Sequence, residues 1–238
     1  MEDDGFTLVT GKKSAKRGFK KTAAGTHIRV DGSIEDIAKS MESAKVGILK
    51  SGLGKWLIQK LESIVLPSQS INTIFLIGNG HFDRSDQPGA HQLALFLEIS
   101  RFFDVEIVFQ EPACSEAEFQ WLREQKNLKI RTNHDTNLEI DENPENLTIL
   151  AIIHGEHEIF QGILDFNWQK LEKSNNLIVI GNNYGGVDWA LSKLSEENGR
   201  INEFFEKSGV SPFPEVYEPH SSAFSGTVVM SPIDNDNK

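Results

Sequence analysis

Two apolar runs, about a hundred residues apart in the chain, both end on Gly-Asn. Thr73-Ile74-Phe75-Leu76-Ile77 leads into Gly78-Asn79-Gly80, and Leu177-Ile178-Val179-Ile180 leads into Gly181-Asn182-Asn183. Short β-branched runs without alternation are strands buried on both faces, the kind that parallel sheets use. Gly and Asn best tolerate positive φ, so the shared ending predicts that the chain leaves the sheet each time through a sharp turn. Ligands of open α/β sheets sit outside such carboxyl ends. The sequence therefore places a site before it says what that site does.

The pattern around these runs alternates strand and helix. Ser33 with Asp36 is a helix cap, followed by Ile34, Ile37, Met41, Ala44 and Ile48 at helical spacing. Gly52 and Gly54 break or kink that helix, Trp56, Leu57, Leu61, Ile64 and Val65 continue its stripe, and Pro67 ends it. Strands are expected over 73–78, 105–109, 128–131, 147–153 and 177–181, with helices over 86–102, from the Ser115 cap, and over 157–168. Helical patterns follow over 187–194 and 201–205, a Pro-rich stretch over 213–219, and a late strand over 227–230. Strands separated by helices imply right-handed βαβ units. The fold class is α/β: a doubly wound, mostly parallel Rossmann-like sheet with flanking helices. Its expected domain is 32–232, between a disordered basic leader over 1–31 and a disordered tail over 233–238.

Charge narrows the partners. The net charge is −11, but residues 1–29 hold seven basic residues against three acidic ones, a net of +4, so the remainder carries −15. A body this acidic repels phosphate backbones, which makes nucleic acid an unsuitable partner for the folded part. The leader reads as a solvated tail, with a nuclear-import or nucleic-acid patch as the other reading. No apolar stretch reaches 18 residues, so no membrane span is expected. Met1-Glu2-Asp3-Asp4 lacks the shape of a signal sequence. Cys114 is the single cysteine, so no intrachain disulfide forms, which fits a reducing cytosol or nucleus.

The candidate chemistry gathers at the strand ends. Gly78-Asn79-Gly80 stands where a nucleotide loop would, letting backbone N–H groups approach phosphate, but position 83 is Asp83 where a dinucleotide fingerprint carries its third glycine. A tight structural turn is the competing reading. Glu111 ends the second strand, where an acidic residue takes ribose hydroxyls; it is also simply an acidic turn residue ahead of Pro112. His154-Gly155-Glu156-His157 follows the third major strand, and His154 is the best candidate for acid/base work. His154 and His157, with His81 and His91 converging from the first crossover, make a metal conceivable, but no full ligand set shows ligand spacing and none is assigned. Asn182 and Asn183 offer hydrogen bonds to a ligand, against a plain left-handed turn. The cofactor-binding set is thus Gly78, Asn79, Gly80, Glu111, Asn182 and Asn183.

Taken in order, Phe75-Leu76-Ile77-Gly78-Asn79-Gly80-His81-Phe82, His91-Gln92-Leu93-Ala94-Leu95-Phe96-Leu97, Glu111-Pro112, Glu118, His154-Gly155-Glu156, Asn167-Trp168 and the Gly181-Asn182-Asn183 run form one pattern. It resembles the SRR-like domain family, named for sensitivity to red light reduced, along residues 33 to about 230. The chain departs from it with Glu111 for the family's Asp and Gly155 for its Cys, which removes a thiolate from that corner. The resemblance implies a regulatory protein in a circadian-clock input pathway, linked to haem biosynthesis, cytoplasmic and nuclear, with regulatory protein partners it does not name. It carries over no catalytic residue. Two function classes follow: a non-enzymatic regulator, which the lack of a recognisable catalytic set favours, or a nucleotide- or S-adenosylmethionine-dependent enzyme. Nucleotide and haem are the cofactors in view, with His154 or His81 as the axial ligand of a haem.

Overall fold

The computed structural model describes residues 30–133, 135–185 and 199–232. All but the last two residues of the leader expected over 1–31, the tail over 233–238 and the helix expected over 187–194 lie outside the described residues. The chain divides into two units, Met1–Val30 and Asp31–Lys238, and every element below belongs to the second.

The cap at Ser33 forms as expected. Its hydroxyl accepts the Asp36 N–H, and the Asp36 carboxylate accepts the Ser33 N–H, which satisfies two orphan donors at the start of α1 (Ile34–Ser51). Ile37, Met41, Ala44 and Ile48 are its buried stripe. Gly52, at φ 72°, ends α1, and α2 (Leu53–Ile64) begins at once. The break therefore falls on Gly52, while Gly54 stays inside α2.

Among the described residues seven strands follow, interleaved with four helices. In chain order they are β1 (Ser70–Ile77), α3 (Pro88–Phe103), β2 (Glu106–Gln110), α4 (Glu116–Arg123), β3 (Leu128–Ile130), β4 (Asn146–Ile152), α5 (His157–Ser174), β5 (Leu177–Asn182), α6 (Gly199–Glu206), β6 (Ser208–Pro212) and β7 (Thr227–Pro232). They form one sheet in the order 3-2-1-4-5-7-6. β7 runs antiparallel to both neighbours and every other pair is parallel.

Both faces are covered, which is why the central strands read as unbroken apolar runs. Ile74, Leu76, Ile149, Ala151, Ile178 and Ile180 share one core with α1 to α4. Phe75, Ile77, Leu150, Ile152 and Val179 face the other, against Phe160, Ile163 and Leu164 of α5 and Ile201 of α6. The chain winds outward from β1 to β2 and β3, then returns to lay β4 on β1's other edge. Strand order reverses between β1 and β4, and the carboxyl ends of β1, β2, β4 and β5 open on the same rim beside that point.

Two details differ from the sequence reading. β6 was not anticipated, whereas the late strand forms as expected and pairs antiparallel with both its neighbours. The second Gly-Asn ending is also not a turn: Gly181 stays in β5, paired with Ile152 and Val228, and has no positive φ. A β-carbon there would stand 3.0 Å from the Ile152 carbonyl oxygen, so its glycine serves close packing. Neither Asn182 nor Asn183 is left-handed. At the ends of β1 and β4 positive φ belongs to Gly78 (68°), Gly80 (71°) and His154 (56°).

Candidate ligand site at the sheet rim

The first cluster joins the ends of β1 and β2. The Gly78 N–H donates to the Gln110 carbonyl at 3.0 Å, carrying the ladder one residue past the strand. The chain then turns through two left-handed glycines, neither of which has an atom within 4 Å of where a β-carbon would stand. Buried Asn79 lies between them. Its Nδ2 donates to the carbonyls of Gly80 (3.1 Å) and Gly89 (3.2 Å), while its buried Oδ1 accepts no bond among the described residues. Gly89 is tight: a β-carbon would meet the His81 carbonyl oxygen at 2.4 Å and that of Asn79 at 2.6 Å, so α3 begins pressed against the turn.

Glu111 closes this cluster. Its Oε2 accepts the Gly80 N–H at 2.7 Å and its Oε1 accepts the Ala113 N–H at 2.8 Å. An ionised carboxylate has about four acceptor positions, so one remains on each oxygen. Just beyond, Glu118 of α4 is fully buried and accepts from Phe82 N–H (2.6 Å) and Ser115 N–H (2.7 Å), with His81 Nδ1 at 2.9 Å. In the sequence Glu118 is the partner of the Ser115 cap and a position of the family pattern; the same side chain also fastens the β1–α3 loop to α4.

The second cluster joins β4, β5 and the entry to β7. The Asn182 amide clamps the β4–α5 corner: Oδ1 accepts the His154 N–H at 3.0 Å and Nδ2 donates to the Gly155 carbonyl at 3.0 Å. That clamp holds His154 in its left-handed conformation. A β-carbon on Gly155 would meet Ile152 Cγ1 at 2.3 Å, which is why this chain accepts no side chain there. His154 is exposed, with Nε2 2.9 Å from the Ser225 carbonyl, and the Asn183 N–H donates to the Gly226 carbonyl at 2.9 Å. His157 Nδ1 meets the buried Tyr184 hydroxyl at 3.3 Å, and burial pushes that phenol up to about 12.

Gly78, Asn79, Gly80 and Glu111 are therefore brought together, as are His154, Asn182 and Asn183. The register, with Ile77 opposite Gln110, Leu76 opposite Ala151 and Ile152 opposite Gly181, sets both clusters on one rim. His81 and His91 are drawn into different contacts instead of converging. His91 is buried, its Nδ1 2.8 Å from the Tyr217 hydroxyl, and Gln92 Nε2 donates to the Ala223 carbonyl at 2.8 Å. This pair pins the Pro-rich stretch over α3. Asn167 likewise ties the β3–β4 connection to α5, accepting the Ile140 N–H and donating to the Leu138 carbonyl. Among the described residues no three His, Cys, Asp or Glu side chains gather as a metal ion requires. Cavities of about 680, 430 and 230 Å³ open elsewhere, and the rim residues line none of the three.

The model of the SRR1 domain matches residues 57–231. The chain belongs to the SRR1 domain family. The matched span holds the seven-stranded sheet up to the last residue of β7, and α1 precedes it. In this SRR1 domain His91 and Gln92 hold the Pro-rich stretch to α3, Asn167 holds the β3–β4 connection to α5 and Asn182 holds the β4–α5 corner to β5, whereas the β1 turn and Glu111 are left at the rim. No curated protein matches. Among solved structures, an uncharacterized protein from Listeria monocytogenes serotype 4b is 12% identical with a TM-score of 0.39, over 75% of this chain and 67% of that one. The plantazolicin methyltransferase BpumL, in complex with SAH, is 11% identical with a TM-score of 0.37, over 84% of this chain and 98% of the other, an analogue-bound form. Phosphoethanolamine N-methyltransferase 1 of Haemonchus contortus is 11% identical with a TM-score of 0.37, over 84% of this chain and 45% of that one. Among the described residues of the SRR1 domain no helix is long and apolar enough to cross a membrane.

Proposed function

We propose that this SRR1 domain is a regulatory module that binds a nucleoside-bearing small molecule, a nucleotide or an S-adenosylmethionine-type compound, at the carboxyl rim of its sheet. The observation that carries the reading is the 2.7 Å bond from Gly80 N–H to Glu111. It joins a double-glycine turn at the end of β1 to an acidic residue at the end of β2, beside the point where strand order reverses. The two unused acceptor positions of Glu111, one per oxygen, suit a vicinal diol such as that of ribose. The open space over Gly78 and Gly80 leaves room for a ligand to approach backbone. The orphaned Asn79 Oδ1 supplies a further acceptor that folding alone leaves unsatisfied.

A haem fits this chain less well. His154 stands exposed with one ring nitrogen at the Ser225 carbonyl, in water and not in an apolar slot. Membership in the SRR1 family supports the regulatory part of the proposal: the process regulated is a circadian-clock input pathway with a link to haem biosynthesis, in cytoplasm and nucleus, through protein partners.

The test is a thermal-shift panel of S-adenosylmethionine, S-adenosylhomocysteine, ATP, NAD, haem and zinc. A ligand at 100 times its dissociation constant adds about 2.7 kcal/mol of stability. A nucleoside-bearing member is expected to raise the melting temperature, and Glu111→Ala to abolish that rise. Stabilisation by none of the four nucleosides overturns the reading.

A further inference from the structure

Phosphate groups are held by successive backbone N–H groups that converge on one point, commonly with the free N–H groups that open the next helix. The β1 turn has the glycines for such a cradle but directs its donors into the protein. Gly78 N–H donates to the Gln110 carbonyl at 3.0 Å, Gly80 N–H to Glu111 Oε2 at 2.7 Å and Phe82 N–H to Glu118 Oε1 at 2.6 Å. From 78 to 82, therefore, no two successive N–H groups are left for an anion. The helix end is closed as well. α3 starts with Pro88, which has no N–H. Gly89 stands so near the turn that a β-carbon would meet the carbonyl oxygens of His81 and Asn79 at 2.4 and 2.6 Å. Oxygens of the turn thus lie against the first residues of α3, where a nucleotide loop seats its phosphate.

What the turn leaves open accepts. Glu111 keeps one acceptor position on each oxygen, and the buried Asn79 Oδ1 has no partner among the described residues. The cation closest in sequence, Arg84, is engaged by Asp86 through two bonds of 3.1 Å. A phosphate brings acceptor oxygens and negative charge, so it meets oxygens where it needs donors; hydroxyl and amino groups bring the donors that fit. Deepening the rim reading, on which it rests, we propose that this site selects nucleosides without a 5′-phosphate: a free nucleoside, or one whose 5′ substituent is neutral or cationic. Glu111 is the specificity-determining residue. The carboxylate that accepts the ribose diol lies 2.7 Å from the Gly80 nitrogen, beside whatever continues from the sugar over the turn.

The experiment titrates the full ¹⁵N-labelled chain with adenosine, AMP and ATP at about 0.15 M salt without magnesium, following the amides of Gly78, Asn79, Gly80 and Ala113. Adenosine is expected to bind about tenfold more tightly than AMP, and ATP more weakly still. AMP or ATP binding as tightly as adenosine overturns the proposal and leaves the nucleoside reading in place. Inorganic pyrophosphate added alone is expected to leave these amides unmoved; a saturable shift there overturns the proposal whatever adenosine does. Saturation by none of the three nucleoside compounds overturns the rim reading itself, and this inference with it. Glu111→Gln, which replaces the acid by its neutral amide, is expected to shrink the ratio of AMP to adenosine dissociation constants by about threefold. A folded variant with the wild-type ratio refutes the role of Glu111, and the wild-type titrations decide the selection even if the variant does not fold.

Discussion

Glu111→Ala removes the acceptor that both Gly80 N–H and Ala113 N–H use, at 2.7 and 2.8 Å. A hydrogen bond to a charged group contributes about 1.5–3 kcal/mol, so the two bonds set an upper bound near 6 kcal/mol. Two effects reduce it. Both N–H groups lie at the rim, where water can replace the carboxylate, and the variant no longer has to strip water from a mostly buried anion. The expected loss is about 2–3 kcal/mol. For a chain of this length each kcal/mol moves the melting temperature by about 2–4 °C, so differential scanning calorimetry should record a fall of about 5–10 °C. Glu111→Gln keeps one oxygen but sets an amide NH₂ against the other donor, and should recover no more than half of the loss. A fall of less than about 2 °C for Glu111→Ala refutes the reasoning, because the carboxylate would then not be holding the turn.

Other perturbations follow from the same geometry. Gly89→Ala, whose β-carbon meets two backbone oxygens at 2.4 and 2.6 Å, should destabilise more than Gly80→Ala, which meets nothing and costs only the left-handed φ, about 1–2 kcal/mol; paired denaturant titrations compare them. Asn167→Leu orphans the buried Ile140 N–H and Leu138 carbonyl and should cost about 3 kcal/mol or more by urea unfolding. His91 is held below its ordinary 6.5, first by burial and then by the neighbouring His220. Its folded state resists protonation while the unfolded chain does not, so stability is full above about pH 6.5 and falls as pH drops below it. His91→Gln should flatten that fall when melting temperatures at several pH values are compared, and an unchanged slope would assign the fall to other groups.

Much of the architecture was legible because burial on both faces leaves a plain mark. The runs at 73–77, 147–152 and 177–180 have no polar alternation to confuse them with surface strands. The Ser33 and Ser115 caps were readable for a similarly local reason, since each carries its partner three residues on. β6 was not legible: Ser208-Gly209-Val210-Ser211-Pro212 has one β-branched residue, and its pairing with β7 makes it a strand. Gly181 misled because a glycine demanded by a neighbour's carbonyl looks the same in sequence as one demanded by φ. At the site, the Gly78 to Gly80 turn and its proximity to Glu111 could be anticipated from strand ends. The split of His154 and Asn182 into a clamp of their own, and the second role of Glu118, depend on long-range hydrogen bonds that no local spacing encodes.

The central claim is that the β1 turn and Glu111 receive a nucleoside. Backbone amide shifts of the ¹⁵N-labelled chain, followed while S-adenosylhomocysteine or ADP is added, test it most directly. Saturable changes centred on Gly78, Asn79, Gly80 and Ala113 are expected. Changes confined to the cavity beside Trp168 and Phe204, or none with either compound, would contradict it.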